Sequence, residues 1–267
     1  MNPRRVRAVV LRQFYLMRGS FSRILPVFVW IAVDMVLWGY LTRYLNAVAG
    51  ARYNFVPALL GAVLLWDFLT RCVHGVTTTF LEDVWSRNFL NVFSSPLSVS
   101  EYVLGLVCSS VLTSTIGLCA MLVLASSLFG LSFAQFGLRL VPFVLVLFLF
   151  GIALGIFGCA LVMRYGPAAE WFVWPIPPLV SPFAGVFYPV AVLPSWMRGI
   201  SIVLPPSYVF ESMRTILAGR SVSWSVLGAS TLLALLYVLA AGWVFRYVHH
   251  RARETGLIAR YSAENAG

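Results

Sequence analysis

The chain contains no lysine: all 19 of its basic residues are arginine, and they stand against nine acidic residues in 267. A nucleotide-binding P-loop requires the lysine of its G-K-[ST] ending, so this chain cannot carry one. Any ATP chemistry that drives the protein must therefore come from another polypeptide.

Motifs of intramembrane enzymes are missing as well. The sequence has only three histidines and no H-E-x-x-H or G-x-S-x-G pattern, which argues against zinc-peptidase and serine-hydrolase chemistry. The four cysteines lie singly inside apolar stretches, a pattern that predicts buried reduced thiols rather than a metal site or a disulfide framework. They are Cys72, Cys108, Cys119 and Cys159.

Charged residues are scarce, at 10%, whereas 60% of the residues are hydrophobic and the mean hydropathy is +0.88. Soluble domains contain about 25% charged and about 45–50% apolar residues, so the bilayer is the main solvent of this protein. A net charge of +10 would indicate a nucleic-acid partner in a soluble protein. Here the positions of the arginines favour contacts with membrane lipids and a role in orientation instead.

A helix needs about 20 apolar residues to cross a hydrocarbon core of ~30 Å. Six stretches meet this requirement and predict an all-α integral membrane protein with six transmembrane helices. They are residues 25–45, 55–76, 101–129, 140–163, 168–185 and 224–247. The fifth contains Pro175, Pro177, Pro178 and Pro182, which must break its helix.

The first 23 residues carry apolar side chains at spacings of three and four, while their six arginines lie off that stripe. This pattern predicts an N-terminal amphipathic helix over residues 1–23 that lies in the membrane interface. A solvated basic tail would not need such regular periodicity. The stripe consists of Val6, Val10, Phe14, Met17 and Phe21.

The arginines also predict the orientation. With six spans and both termini in the cytoplasm, twelve arginines lie on the inner side and six on the outer side. This asymmetry follows the positive-inside rule. The arginine-only composition is typical of a GC-rich genome and favours a bacterial inner (cytoplasmic) membrane as the location.

Five prolines interrupt the apolar residues between 181 and 215. The remaining pieces of about 10–15 residues are too short to cross a bilayer. We therefore expect a re-entrant helical hairpin over residues 186–215, before the sixth span and on the outer side. A seventh span is the alternative, and it would place the C-terminal arginines outside.

An acidic, aromatic-rich segment, E-D-V-W-S-R-N-F-L-N-V-F-S-S-P-L-S, occupies residues 82–98 between the second and third predicted spans. Its periodicity predicts an amphipathic cytoplasmic helix over residues 80–97, which Pro96 ends. The helix could lie against lipid, but Glu82 and Asp83 would then face an anionic leaflet unfavourably. Its apolar face consists of Leu81, Trp85, Phe89, Val92 and Phe93.

Three features together resemble the membrane subunit of type-2 ABC exporters, the permeases of polysaccharide, lipid and drug export. They are the N-terminal amphipathic helix, the cytoplasmic helix over residues 80–97 and the re-entrant hairpin over residues 186–215. The resemblance extends over nearly the whole chain, which we interpret as a single permease domain, residues 1–267. Where such permeases often have Gly-Thr-Leu-Glu, this chain has R-N-F-L at 87–90. The most specific pieces are N-F-L-N-V-F-S-S-P-L-S (88–98), G-V-F-Y-P (185–189), L-P-S-W (193–196) and L-P-P-S-Y (204–208) with Glu211 and Arg214.

The resemblance implies a dimer, expected to be a homodimer, that works with two copies of a separate ABC ATPase subunit. ATP and Mg would bind to that partner, and this chain itself would hold no cofactor or metal. The segment at 80–97 would be the coupling helix, and the cargo would be an amphipathic lipid, a lipid-linked glycan or polysaccharide, or a hydrophobic drug. The candidate ATPase-docking residues are Glu82, Asp83, Trp85, Arg87, Phe89, Phe93 and Pro96.

Ionisable residues inside the predicted spans are costly in lipid, so they should face the bundle interior or water. Asp67 and Arg71 have the i, i+4 order that favours an ion pair, either a structural pair or part of a substrate pathway. The tryptophans near the fifth span belong either to that pathway or to an interfacial aromatic belt. The candidate pathway residues are Asp34, Asp67, Arg71, Trp171, Trp174 and Tyr188.

A proton-coupled secondary transporter that uses Asp34, Asp67 and His74 is the alternative function. Folds of that class usually contain internal repeats with paired broken helices. Only one proline-broken region is evident here, near the C-terminal end, so the exporter permease is the favoured prediction.

Overall fold

The computed structural model describes residues 1–19, 21–49, 56–86, 88, 91–92, 95–131, 136 and 138–256. These residues form an all-helical fold without a β-strand, as the sequence predicts. The helices are α1 (Pro3–Arg18), α2 (Phe21–Ala49), α3 (Gly61–Trp85), α4 (Val99–Phe129), α5 (Val141–Tyr165), α6 (Glu170–Val173), α7 (Ile176–Ala184), α8 (Ser195–Ile202), α9 (Pro205–Leu217) and α10 (Trp224–Glu254).

Four helical stretches of the described chain are long and apolar enough to cross a membrane: Val56–Trp85, Val99–Phe129, Val141–Tyr165 and Trp224–Glu254. They coincide with the second, third, fourth and sixth predicted spans. The second extends nine residues beyond its predicted end at 76, since α3 ends at Trp85. Polar residues continue the helix there, and threonine hydroxyls donate to carbonyls one turn back, as Thr79 does to Gly75 at 2.8 Å.

The first and fifth predicted spans differ from these four: the first is part of a longer helix, and the fifth is broken. Residues 25–45 lie inside α2, which has 29 residues and would be about 43 Å long. Residues 168–185 form no continuous helix, because α6 has four residues and α7 has nine, with the break at Trp174 and Pro175. Proline at that point lacks the N–H that would continue the helix.

The centre of the bundle is the contact between α3 and α5, which approach closely because α5 presents glycines. A Cβ added at Gly151 would lie 3.0 Å from the Leu69 carbonyl oxygen, and one at Gly155 would lie 3.0 Å from that of Val73. Such close approach through small residues is a common way for helices to associate in membranes. Helix α10 packs along the other side of α5.

Two apolar clusters mark the two ends of the bundle. One joins the last turns of α3, α5 and α10 to the first turns of α4, through residues such as Val84, Tyr102, Met163 and Ala252. The other joins the first turns of α3 and α5 to the end of α4 and to α9, through residues such as Leu64, Phe143, Phe129 and Phe210. We call these the α1 end and the hairpin end, respectively.

Helix α1 lies at the α1 end, packed against α4. Asn2 caps it through a hydrogen bond from the Arg4 N–H to Asn2 Oδ1, and its buried residues are Val9 and Gln13. Val9 sits over Gly105, where an added Cβ would be 2.6 Å from the Val9 Cβ. Phe14, in the predicted apolar stripe, is 49% exposed, so the protein leaves part of that stripe uncovered.

The predicted hairpin segment, residues 186–215, contains a 3-10 turn at Val190–Val192 followed by α8 and most of α9. Helices α8 and α9 have eight and 13 residues, too short to cross a bilayer. Gly185 ends α7 with φ +63°, and a Cβ there would lie 3.1 Å from the Tyr188 carbonyl oxygen. Only glycine takes this conformation without strain, which fixes the reversal of the chain before α8.

Candidate functional site

A cavity of about 610 Å³ lies between α1, α2, α3 and α4 and is closed on one side by Trp174. Its wall combines apolar rings with hydroxyl, imidazole, amide and charged groups. Sites that take amphipathic ligands have this combination of mostly apolar walls and a few polar groups. The lining residues are Gln13, Met17, Trp30, Arg71, His74, Gly75, Thr78, Thr79, Glu82, Trp85, Thr113, Ser114 and Trp174.

Arg71 supplies a positive charge in the wall of this cavity, and Glu82 supplies a negative one. Arg71 Nε donates to Asp67 Oδ2 at 2.7 Å, and the side chains of Arg71 and Asp67 are 15% and 17% exposed. Gly117 on α4 makes room for the arginine, because a Cβ there would lie 3.0 Å from Arg71 Cδ. The predicted i, i+4 pair therefore forms along α3, and its arginine reaches the cavity.

Asp34 on α2 is half-buried and lies close enough to Asp67 and Arg71 to interact electrostatically with both. Its side chain does not line the cavity. The two acids and the arginine thus form one charged group between α2 and α3, which the sequence could not establish because the two helices are separate in the chain.

His74 lies one turn beyond Arg71 and packs on the Trp174 ring, with centroids 4.3 Å apart. Its Nε2 is buried without a hydrogen-bond partner among the described residues. Trp174 in turn donates from Nε1 to Glu170 Oε1 at 3.0 Å. His74 thus belongs to the wall of the cavity, while its Nε2 is buried away from the cavity surface.

Two of the candidate pathway residues lie elsewhere. Trp171 is 80% exposed on the outer surface of the bundle and does not line the cavity. Tyr188 lies in the turn after α7, where its hydroxyl donates to the Pro182 carbonyl oxygen at 2.8 Å. The structure thus groups Asp34 and Asp67 with Arg71, places Arg71 and Trp174 in the cavity wall, and separates Trp171 and Tyr188 from both.

The acidic pair at the end of α3 contacts α1. Arg12 Nη2 lies 2.7 Å from both carboxylate oxygens of Asp83, and the Tyr102 hydroxyl donates to Asp83 Oδ2 at 2.7 Å. Asp83 is 3% exposed. Burial lowers the pKa of Arg12, but the hydrogen bond and the charge of Asp83 outweigh it, so this pKa lies above its ordinary value.

Two further carboxylates hold α1. Gln13 Nε2 donates to Glu82 Oε2 at 2.7 Å. Glu101, at the start of α4, accepts from the Asn2 N–H at 2.6 Å and pairs with Arg5 Nη1 at 3.4 Å. These links, with Arg12–Asp83, connect α1 to the cytoplasm-facing ends that the arginine distribution predicts for α3 and α4.

Sequence reasoning did not identify Glu101 as a contact of α1. A signal was present, because S-V-S-E at 98–101 has the spacing of a capping box. The box forms, with the Glu101 N–H donating to Ser98 Oγ and the Ser98 N–H donating to Glu101 Oε2. The box predicts the start of α4, but not the additional bond from Asn2, which is 99 residues away.

The remaining candidate docking residues are partly described. Residues 80–85 are the last turns of α3, and Trp85 is 50% exposed beside the cavity. Pro96 is exposed and lines a separate cleft of about 360 Å³, whose other lining residues include Arg5 and Val9 of α1 and Asn88, Asn91 and Val92. Arg87, Phe89 and Phe93 lie outside the described residues.

Comparison with known proteins identifies the family. The family model of the ABC-2 type transporter matches residues 4–218. The match includes α1 to α9, and therefore both the cavity and the α1 contacts. No curated protein matches the chain. Because the match covers well over half of the chain, this protein belongs to the ABC-2 type transporter family and is a membrane permease.

Proposed function

We propose that this chain is the permease half of an ATP-driven exporter, which forms the translocation pathway as a homodimer and is driven by two separate ATPase subunits. Those subunits would bind ATP and Mg, because this chain has no lysine for a P-loop. The observation that carries the proposal is the cavity beside the α1 end, which is rimmed by an exposed tryptophan, Trp85, in a chain of the ABC-2 family.

The proposed topology has six spans, with α2 as the first and the broken α6–α7 pair as the fifth. Helices α8 and α9 would form the re-entrant hairpin on the outer side. The α1 end would face the cytoplasm. The arginines of α1 together with Arg164, Arg246, Arg251 and Arg253 support this orientation, since they lie on elements that meet at this end.

The cargo we infer is an amphipathic molecule: a lipid, a lipid-linked glycan or a hydrophobic drug. Trp30, Met17 and Trp174 would contact its apolar part. Arg71 would bind its polar part, since it presents a charge in the cavity wall, and His74 lies one turn beyond it in the same wall. A cargo whose polar headgroup bonds to these groups would therefore bind more tightly than a cargo whose headgroup does not.

The ATPase would dock at Trp85 and the segment that follows it. An aromatic anchor in a desolvated pocket contributes about 2 kcal/mol or more, so Trp85→Ala should weaken association with the ATPase about thirtyfold. The experiment is a mild-detergent pull-down of the tagged chain from native membranes, followed by mass spectrometry of intact complexes.

A matched control for this experiment is Trp196→Ala, because Trp196 is 64% exposed at the hairpin end. The proposal expects a two-plus-two assembly with a P-loop ATPase for the native chain and for the Trp196 variant, and loss of the ATPase for the Trp85 variant. Equal retention by both variants would refute docking at Trp85, and a chain reproducibly without any ATPase would refute the exporter itself.

A proton-coupled mechanism is the second candidate, favoured by the proximity of Asp34 to Asp67 on the adjacent helix. It would also use His74. It predicts that transport into vesicles follows a pH gradient without ATP. Transport that requires ATP and ignores the gradient would exclude it.

A further inference from the structure

A further concave site lies at the α1 end, and it shares no lining residue with the cavity. The last turns of α5 and α10 enclose a cleft of about 430 Å³. This volume is within the range of small-ligand sites, ~300–1,000 Å³. Both helices are candidate membrane spans, and they terminate here together.

Two arginines line this cleft, and each is held over a tyrosine ring. The Arg164 guanidinium carbon lies 5.4 Å from the centroid of Tyr165, and that of Arg251 lies 5.6 Å from the centroid of Tyr247. Such cation–π contacts restrict the guanidinium groups while their N–H donors remain available. Two pre-positioned arginines are a typical arrangement for binding phosphate oxygens.

No carboxylate lines the cleft among the residues that the structure describes. The acids on neighbouring elements have other partners, since Glu254 pairs with His250 at 3.2 Å and Glu170 accepts from Trp174. The two arginines also have no ion pair within the described chain, which leaves a local excess of positive charge. Both helices present their carbonyl ends here, so part of that charge offsets the helix dipoles.

The aromatic residues around the cleft indicate its depth in the membrane. Trp243 and Tyr247 stack at 6.0 Å on α10 and are 68% and 45% exposed. Exposed tryptophan and tyrosine side chains are concentrated at the level of the lipid headgroups.

We propose that this cleft binds the phosphate of an anionic phospholipid headgroup, with Arg164 and Arg251 as its ligands. Basic pockets between the ends of transmembrane helices are known places for such headgroups. The site is distinct from the cargo cavity, and its binding does not depend on the identity of the cargo or of the ATPase.

The test is native mass spectrometry of the purified full chain with added phosphatidylglycerol, phosphatidylcholine or inorganic phosphate. We expect the native chain to retain phosphatidylglycerol in preference to phosphatidylcholine. The double variant R164Q/R251Q should lose about thirtyfold in affinity for phosphatidylglycerol, since each arginine contributes about fivefold.

The matched control is R246Q/R253Q, which also removes two positive charges near the α1 end, but both from α10 and from outside the cleft. It should change the affinity by no more than about threefold. Equal losses in both double variants would overturn the proposal in favour of unspecific charge attraction. Equal retention of the two lipids by the native chain would also overturn it.

Binding of inorganic phosphate distinguishes a site for a phospholipid headgroup from a site for free phosphate. If phosphate alone binds the native chain as tightly as phosphatidylglycerol does, the lipid assignment is wrong and the cleft is a free-anion site. This comparison and the preference between lipids use only the native chain, so they remain decisive even if a variant fails to fold.

Discussion

At the α1 end, Arg12, Asp83 and Tyr102 join three helices through their side chains, whereas at the hairpin end a single arginine, Arg214, binds backbone carbonyls. Arg12 and Asp83 are 71 residues apart in the chain. Arg214 contacts carbonyls 26 to 29 residues away, those of Gly185, Val186 and Tyr188. The first arrangement links distant segments, and the second closes a local turn.

This difference predicts how each end of the bundle responds when its contacts are lost. The bonds at the α1 end involve side chains, so their loss would release α1 from α3 and α4 while every helix keeps its own backbone hydrogen bonds. The contacts of Arg214 satisfy carbonyls at the end of α7 and in the turn after it, and a backbone carbonyl without a donor is costly. The hairpin end should therefore resist rearrangement and unfold locally when it fails.

Asp83→Asn should have the largest effect on stability. The substitution leaves the Arg12 guanidinium, whose side chain is 30% exposed, without its carboxylate. Removal of one partner of a buried pair destabilises by about 3 kcal/mol. We expect a markedly lower Tm in detergent and increased protease access to α1, with the hairpin unaffected.

The matched comparison for this prediction is Arg12→Gln against Arg18→Gln, since Arg18 is an exposed residue of the same helix. Only the Arg12 substitution should reproduce the effect of Asp83→Asn. Equal Tm changes in the two arginine variants would mean that α1 is held by its net charge rather than by this pair.

Arg214→Gln should have the next largest effect. Hydrogen bonds to charged groups contribute about 1.5–3 kcal/mol each to stability, and the loss is reduced here because glutamine can still donate. We expect a loss of about 2 kcal/mol in the free energy of unfolding. Labelling of a cysteine introduced at Val186, which is 1% exposed, should become faster.

Arg220→Gln is the control for the hairpin end, because Arg220 is exposed just beyond α9. It should leave both the Tm and the labelling rate unchanged. If Arg214→Gln instead released α1 to protease, the two ends would be coupled and the contrast between them would be wrong.

The apolar lengths of α3, α4, α5 and α10 could be predicted from the sequence because the bilayer thickness dictates them. The partner of Asp83 could not. Periodicity assigns a residue to a helix face, but it does not say which distant segment covers that face. Docking to an ATPase and contact with α1 were therefore equally compatible with E-D-V-W at 82–85.

In the cavity, too, the sequence predicts contacts within one helix but not contacts between distant segments. The i, i+4 spacing predicts the Asp67–Arg71 pair, because a single helix determines that distance. It does not predict that Trp174 packs on His74, since these rings lie 100 residues apart and meet only after the chain breaks at Pro175. Breaks of this kind can be located from prolines, but the direction of the chain after them depends on packing.

Gly155→Ala tests the region between the two ends. An added Cβ would lie 2.8 Å from the Val76 Cβ and 3.0 Å from the Val73 carbonyl oxygen, so α3 and α5 must separate. Overpacking of this kind costs about 1 to 2 kcal/mol. Gly242→Ala is the control on α10, because nothing lies within 4 Å of its added Cβ. A Tm loss confined to the Gly155 variant would confirm that the close contact of α3 and α5 is tightly packed, and equal losses in both variants would contradict it.

Glu82→Gln should have the smallest effect on stability and gives the sharpest test of the α1 end. Glu82 is adjacent to Asp83 but is only half-buried and accepts from the neutral amide of Gln13 at 2.7 Å. A glutamine can keep such a bond, so the loss should be under about 1 kcal/mol. Thermal unfolding of Glu82→Gln beside Asp83→Asn measures the difference that burial makes to two neighbouring acids.

If the two variants melt alike, burial does not explain the role of Asp83. If Glu82→Gln melts normally but retains less ATPase in the pull-down, Glu82 belongs to the docking surface, and the two acids divide the tasks of binding α1 and binding the partner.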